Sequence, residues 1–191
     1  MKKEYQKMII ITAPSGAGKT SITRHLLNVF PQLVFSISAA TRSARANEKN
    51  GRDYYFMSAE EFQQKIKNEE FVEWEMVYEG NYYGTLKSEL KRIWQNDQVP
   101  VLDIDVQGAI HVQQEYPVNS FFLFIQPPTT EDLKKRLQHR GSETAESLEA
   151  RMNKSSYELT FKNHFKNVIV NKDLDTACRE AESLVRDFLN N

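Results

Sequence analysis

The chain has 191 residues, of which 40% are hydrophobic and 27% charged, and its formal net charge is -1. This composition is typical of one globular domain with or without inserted lobes, and the charge balance argues against a broad nucleic-acid-binding surface. The single cysteine, Cys178, excludes an intrachain disulfide and a cysteine-based zinc site. The apolar run near the N-terminus is too short for a membrane span or a signal peptide, so we expect a cytoplasmic protein without membrane contact.

The first elements predict a phosphate-binding loop. An apolar run at residues 8–11 precedes a glycine-rich segment ending in Gly-Lys-Thr, and apolar residues at helical spacing follow. Strand, glycine-rich turn and helix are the context of a P-loop, in which backbone N–H groups, a helix N-terminus and Lys19 surround phosphate. The Thr20 hydroxyl suits a phosphate-bound Mg²⁺. The alternative, an ordinary helix start with a solvated lysine, fits this flanking pattern less well. The predicted loop comprises Ala13, Pro14, Ser15, Gly16, Ala17, Gly18, Lys19 and Thr20.

The middle of the chain alternates between short strands and helices. The pattern predicts strands at 33–37, 54–56 and 71–78, an exposed loop at 41–53, a helix after a capping box at 58–61, a turn at 81–85 and a helix through 86–93. Further strands are predicted at 99–106, 121–125 and 168–170, with an arginine-rich helical stretch at 131–157 and a C-terminal helix. Strands alternating with helices indicate an α/β fold with a central parallel sheet covered on both faces.

Two acids interrupt one of the apolar strands. Asp103 and Asp105 are two residues apart, so on a single strand both side chains would project to the same face. A carboxylate at the end of a strand beside a P-loop is placed to hold Mg²⁺ through water, and we assign this role to Asp103. The alternative is that these acids cap a neighbouring helix or pair with an arginine.

The sequence resembles guanylate kinases, which are P-loop nucleoside monophosphate kinases, along nearly its whole length. The motifs that carry the resemblance are 13–20, Thr41-Arg42 with Arg45, 51–54, Glu73-Trp74, 80–85, 102–105 with Gln107-Gly108, Arg136-Leu137 with Arg140-Gly141, Arg151 and Val170-Asn171. The resemblance implies a three-layer P-loop NTPase fold formed by a single domain over 1–191. Its parts would be a core at 1–34, 85–126 and 157–191, an inserted GMP-binding lobe at 35–84 and a helical lid at 127–156.

The resemblance also implies roles for individual residues. The P-loop and Asn171 would bind ATP, and Mg²⁺ would accompany ATP as the cofactor. The guanine would face Ser38, Glu73, Thr85 and Asp105, whereas the GMP phosphate would be held by Arg42, Arg45, Tyr54 and Tyr83. The catalytic residues would be Lys19, Arg42 and the lid arginines Arg136, Arg140 and Arg151.

The chemistry of these residue types agrees with the implied substrate. Guanine presents N1–H and N2–H donors side by side, which suit the carboxylates of Glu73 and Asp105, and adenine lacks that pair of donors. Arginine forks suit phosphate oxygens. Arg136 and Arg140 are four residues apart and would share one helix face. Family members often carry Pro and Gly where this chain has Ala44 and Asn47, so we expect a more mobile loop in the unbound protein.

The expected reaction transfers the γ-phosphoryl group of MgATP to GMP or dGMP. The acceptor oxygen is already anionic, so no general base is required, and the four histidines are scattered along the chain. We expect ATP and GMP as small-molecule partners, no nucleic acid, and a monomer or homodimer. Two alternatives remain open at this stage. One is a peptide-binding module related to guanylate kinases, although such modules generally have degraded P-loops, and the other is a P-loop kinase for a different phosphorylated small molecule.

Overall fold

A computed structural model describes residues 6–78, 80–138 and 145–191. The nine strands of these residues are β1 (Met8–Thr12), β2 (Leu33–Phe35), β3 (Ala39–Ala40), β4 (Tyr55–Phe56), β5 (Phe71–Tyr78), β6 (Asn81–Leu86), β7 (Val99–Asp103), β8 (Ser120–Gln126) and β9 (Asn167–Val170). The α-helices of the described residues are α1 (Lys19–Val29), α2 (Ala59–Lys67), α3 (Lys87–Trp94), α4 (Val106–Glu115), α5 (Thr130–Gln138), α6 (Ala145–Thr160) and α7 (Leu174–Asn190).

The larger sheet is parallel, with the strand order β2-β7-β1-β8-β9. Alternate residues of its central strand β1 face opposite layers. Ile9 and Ile11 pack among residues of α1 and α7, whereas Ile10 packs among residues of α3 and α4. Burial on both faces explains why β1 and β8 are continuous apolar runs. The carboxyl end of β1 leads into the P-loop, and its neighbour β7 ends at Asp103, so one sheet edge carries both features.

The smaller sheet, with the order β4-β3-β6-β5, belongs to the segment predicted as an inserted lobe. Its core is a cluster of Ala39, Phe62, Phe71 and Leu86, in which the Phe62 and Phe71 rings stack 4.3 Å apart. The predicted capping box is present, since the Ser58 side chain accepts a hydrogen bond from the Glu61 N–H at 3.1 Å.

Two sequence predictions of local structure were wrong. Residues 81–85 were expected to form a turn but belong to β6, because their pairing with β5 outweighs the turn preference of Asn81 and Gly84. The strand predicted at 99–106 ends at Asp103. Asp105 instead caps α4 and accepts a hydrogen bond from the Gly108 N–H at 2.8 Å, so the two acids do not share a strand face.

The arginine-rich stretch forms two helices, α5 and α6. Arg140, which was predicted to be catalytic, lies outside the described residues, as do the neighbouring positions 139–144. Within the part of the chain that the structure describes, none of the helices is both long enough and apolar enough to cross a membrane.

Candidate active site

The P-loop lies between β1 and α1 and has a backbone that only glycine adopts easily. Gly18 is the N-cap of α1 and has a φ angle of 103°, in the left-handed region. A Cβ atom at this position would lie 2.2 Å from Nδ2 of Asn171. That same amide nitrogen donates to the Ala17 carbonyl at 2.8 Å, while the buried Oδ1 of Asn171 has no hydrogen-bond partner. Asn171 therefore supports the loop and retains one free acceptor.

Lys19 and Thr20 are at the start of α1, facing the carboxyl end of β7. The Lys19 ammonium forms a salt bridge with Asp103 and donates to the Ile104 carbonyl at 3.2 Å. Thr20 is exposed and lines the cavity over the loop. A hydroxyl and one carboxylate next to a phosphate site fit Mg²⁺, which keeps several waters and needs few protein ligands. The described residues contain no cluster of three or more His, Cys, Asp or Glu suited to a protein-held metal.

Two of the predicted lid arginines contact the P-loop region. Arg136 of α5 donates to the Asn171 carbonyl at 2.8 Å and to the Ala17 carbonyl at 3.5 Å. Arg151 of α6 donates to the Ser15 hydroxyl at 2.5 Å. Both guanidinium groups thus lie beside the loop.

A cavity of about 590 Å³ lies above the P-loop, which forms one wall, and α6 forms the opposite wall. The cavity has mixed charge. The α6 residues that line it are Ser147, Ala150, Arg151, Lys154 and Glu158, and Asp105 completes the lining.

A second cavity, of about 150 Å³, lies on the β5–β6 side of Asp105. Asp105 lines both cavities, so the two adjoin. The predicted GMP-binding residues that line the second cavity are Ser38, Tyr54, Glu73, Tyr83 and Asp105, together with Glu75, which was not predicted.

Glu73 is a buried carboxylate, 4% exposed, on β5. Burial raises its pKa to about 7, the Thr85 hydroxyl opposes that rise by donating to Oε1 at 2.6 Å, and the negative charges of Asp105 and Glu75 add to it. Thr85, predicted to face the guanine, is buried and acts through this hydrogen bond. Gly108 lies beside it, and a Cβ there would be 2.8 Å from Oε2 of Glu73, so a side chain at this position would displace the carboxylate.

Arg42 is held by aromatic and acidic side chains at the rim of the second cavity. Its Nε donates to the Tyr83 hydroxyl at 3.1 Å, and its guanidinium lies 4.8 Å from the centre of the Tyr54 ring. Glu48 accepts two hydrogen bonds from Arg42, at 2.6 and 2.8 Å, and one from the Arg45 N–H at 2.8 Å. The hydrogen bonds from Arg42, and to a smaller extent the one from the Arg45 N–H, lower the pKa of Glu48 to about 2. The contact with Glu48 in turn raises the pKa of Arg42. The Arg45 side chain itself is exposed.

Glu48 and Glu89 are structurally important residues that sequence analysis did not identify. The buried carboxylate of Glu89 accepts hydrogen bonds from the Ile37 N–H at 3.1 Å, the Tyr55 hydroxyl at 2.8 Å and the Arg92 guanidinium. It therefore joins α3 of the core to β4 of the smaller sheet. Burial would raise the pKa of Glu89, but the hydrogen bonds to its carboxylate outweigh burial and lower this pKa. The hydrogen bond from Arg92 contributes most to the lowering. Arg92 is a partner in this link, and its spacing of three residues from Glu89 is the only signal of the pair in the sequence.

The parallel sheet, the P-loop and the surrounding basic residues define a P-loop phosphotransferase. A gluconokinase from Sinorhizobium meliloti has the same fold, with a TM-score of 0.52 over 98% of this chain and 97% of that chain, at 14% sequence identity. At that identity the similarity concerns the fold alone.

The chain belongs to the guanylate kinase family, whose model matches residues 5–188. It is 44% identical to a guanylate kinase from Bacteroides fragilis over 183 residues, which are 96% of this chain and 90% of that protein. The crystal structure of guanylate kinase from Anaplasma phagocytophilum superposes with a TM-score of 0.76 at 29% identity, covering 97% of this chain and 87% of that one. The predicted family, fold class and enzyme class are therefore confirmed.

Proposed function

We infer that this chain transfers the γ-phosphoryl group of ATP to GMP, giving ADP and GDP. The observation that carries this proposal is the sharing of Asp105 between two adjoining cavities. One contains the P-loop, and the other contains paired carboxylates with an arginine–tyrosine cluster at its rim. A phosphoryl donor and a guanine nucleotide fit these two chemistries.

The donor side would bind ATP through the P-loop, from Ala13 to Thr20. Backbone N–H groups and Lys19 would surround the phosphates, and Asn171 would lie near the adenine. Thr20 and, through water, Asp103 would hold Mg²⁺, which would neutralise phosphate charge. Lys19 forms a salt bridge with Asp103, and in the proposed complex its ammonium would also contact the ATP phosphates.

The acceptor side would read guanine with carboxylates and hold its phosphate with arginine. Glu73, positioned by Thr85, and Asp105 would accept hydrogen bonds from N1–H and N2–H, with Ser38 alongside. Arg42, Tyr54 and Tyr83 already form one cluster, and Arg45 would join it from the adjacent loop. The GMP phosphate would replace Glu48 as the acceptor of some of the hydrogen bonds that the Arg42 guanidinium donates.

Catalysis would consist of in-line positioning and charge stabilisation by Lys19, Arg42, Arg136, Arg140 and Arg151. The GMP oxygen that attacks is already anionic, so no side chain needs to remove a proton. Lobe closure would exclude water, the competing acceptor. We assign the core to 1–34, 85–126 and 157–191, the GMP-binding lobe to 35–84 and the lid to 127–156. We place the enzyme in the cytoplasm with ATP and GMP or dGMP as its partners, as a monomer or homodimer, without nucleic acid or membrane.

Two substitutions test the proposed site. In an assay that couples ADP release to NADH oxidation, Lys19→Ala and Arg42→Ala are each expected to lose at least about 99% of GMP-dependent turnover, the scale of losing one preorganised charge contact. Circular dichroism should show that both variants keep the fold. Near-normal turnover in either folded variant would overturn the assignment.

A further inference from the structure

The α6 residues that line the larger cavity form a stripe along one helix face. They are Ser147, Ala150, Arg151, Lys154 and Glu158, which occupy positions i, i+3, i+4, i+7 and i+11 of the helix. Arg151 belongs to the proposed lid arginines, but Lys154, one turn further along, has no role in the proposed mechanism. Its side chain is 45% exposed, so the ammonium is accessible to a ligand that enters the cavity.

Two carboxylates locate the Lys154 ammonium. Glu75 lines the smaller cavity and Glu158 lines the larger one. Burial raises the pKa of both carboxyl groups, and the positive charge of Lys154 opposes both rises. Asp105, which lines both cavities, adds its negative charge to the same two carboxylates. Lys154 is therefore close to the boundary between the cavities. The two phosphate groups must meet at that boundary for in-line transfer.

Glu158 is the structural support for this lysine. It is 7% exposed, and its Oε1 lies 3.9 Å from the Lys154 Nζ. The Ser15 backbone of the P-loop also hydrogen-bonds to this carboxylate, whereas its buried Oε2 has no hydrogen-bond partner. A buried carboxylate without full hydrogen bonding is costly, so a nearby cation is expected to remain with it. One turn of helix thus holds the ammonium on the cavity side of α6.

We propose that Lys154 is a further catalytic residue, which contacts the phosphoryl group in transfer between ATP and GMP, and that Glu158 is its positioning residue. The proposal rests on the guanylate kinase function inferred above. An ammonium is a mobile point charge with three donors, which suits a phosphoryl group whose oxygens move between donor and acceptor.

Lys154→Met tests the contact, and Lys162→Met is its matched control, because Lys162 is an exposed lysine that follows α6 and is not among the residues that line either cavity. Removing Lys154 should lower kcat at least about tenfold, and Lys154→Arg should recover most of that loss. The affinity for a bisubstrate analogue, adenosine and guanosine joined by five phosphates, should fall about tenfold in isothermal titration. The affinities for ADP and GMP alone should change less than about threefold.

Glu158→Gln tests the positioning role through a double-mutant cycle. Alone it should lower kcat about three- to tenfold with both KM values unchanged, and combined with Lys154→Met it should add nothing. Thermal melting verifies that each variant is folded. If folded Lys154→Met matches Lys162→Met in kcat and in analogue affinity, the contact is refuted. Additive effects in the double variant would refute the positioning role. Lack of GMP phosphorylation by the wild-type protein would instead refute the proposed function.

Discussion

Glu73→Gln should stabilise the empty protein above neutral pH while impairing its use of GMP. The rise in the pKa of Glu73 from its ordinary value of 4.5 to about 7 corresponds to about 3 kcal/mol, at 1.36 kcal/mol per tenfold change in proton affinity. Because the folded-state pKa is above the unfolded value, the ionised carboxylate destabilises the fold in full above pH 7. That destabilisation disappears as the pH falls towards 4.5. Glutamine keeps an oxygen for the Thr85 hydroxyl but carries no charge.

Urea unfolding of both proteins from pH 5 to pH 8.5 measures this difference. The variant should be more stable by up to about 3 kcal/mol at pH 8, and the gap should narrow below pH 7 and be largely lost near pH 5. A gap that is independent of pH, or a variant that is less stable at pH 8, would refute the account of a buried charge held ready for ligand.

Steady-state kinetics on the same pair test the functional consequence. Glutamine presents a donor where guanine needs an acceptor, so the KM for GMP should rise at least about tenfold while the KM for ATP stays unchanged. In the wild-type protein the KM for GMP should also rise as the pH falls from 8 to 6, because Glu73 gains a proton. The phosphate group of GMP also titrates, at about pH 6. The Glu73→Gln variant is the control, because its KM for GMP should respond only to the titration of that phosphate.

Three further substitutions test the P-loop, the GMP-phosphate site and the core of the lobe, one each. Gly18→Ala would place a Cβ against Asn171 at a residue whose φ is left-handed. We therefore expect the KM for ATP in the coupled assay to rise by at least roughly tenfold. An unchanged KM would contradict the described loop geometry. Arg42→Lys keeps the charge but loses the fork, and the KM for GMP should rise about tenfold or more; equal KM values would refute bidentate phosphate binding. Phe62→Ala removes the fully buried ring of the lobe core, and the free energy of unfolding measured in urea should fall by about 3 to 5 kcal/mol. A decrease below about 1 kcal/mol would show that this cluster does not stabilise the lobe.

The parts of the site that were predictable from the sequence follow a local pattern. The P-loop is contiguous and lies between an apolar strand and an amphipathic helix, so its glycines and Lys19 were identifiable without any distant contact. Glu73 was identified only through the resemblance, because alternation along β5 places Glu73 and Glu75 on the same face and does not distinguish them.

The remaining features depend on partners that are distant in the sequence or lie in aperiodic loops. Glu48 is in a polar loop without periodicity, so nothing in the sequence indicated that its carboxylate would hold Arg42. β6 contains Asn81 and Gly84, which favour turns, and its pairing with β5 on one side and β3 on the other makes it a strand. Asp105 lies beyond the end of β7, because capping α4 satisfies a backbone N–H that a continued strand would not. The greater mobility expected from Ala44 and Asn47 stays a prediction.

A panel of nucleotide acceptors tests whether Glu73 and Asp105 recognise guanine. With ATP as donor, the initial rates for GMP, dGMP, IMP, AMP and UMP are compared at equal concentration. We expect GMP to be the best acceptor and dGMP to be used. IMP, which lacks the N2 amino group, should be used less well, and AMP and UMP should be at least about a hundredfold slower, because they leave Glu73 and Asp105 without their donors. Comparable rates for AMP and GMP would contradict guanine recognition by these two carboxylates.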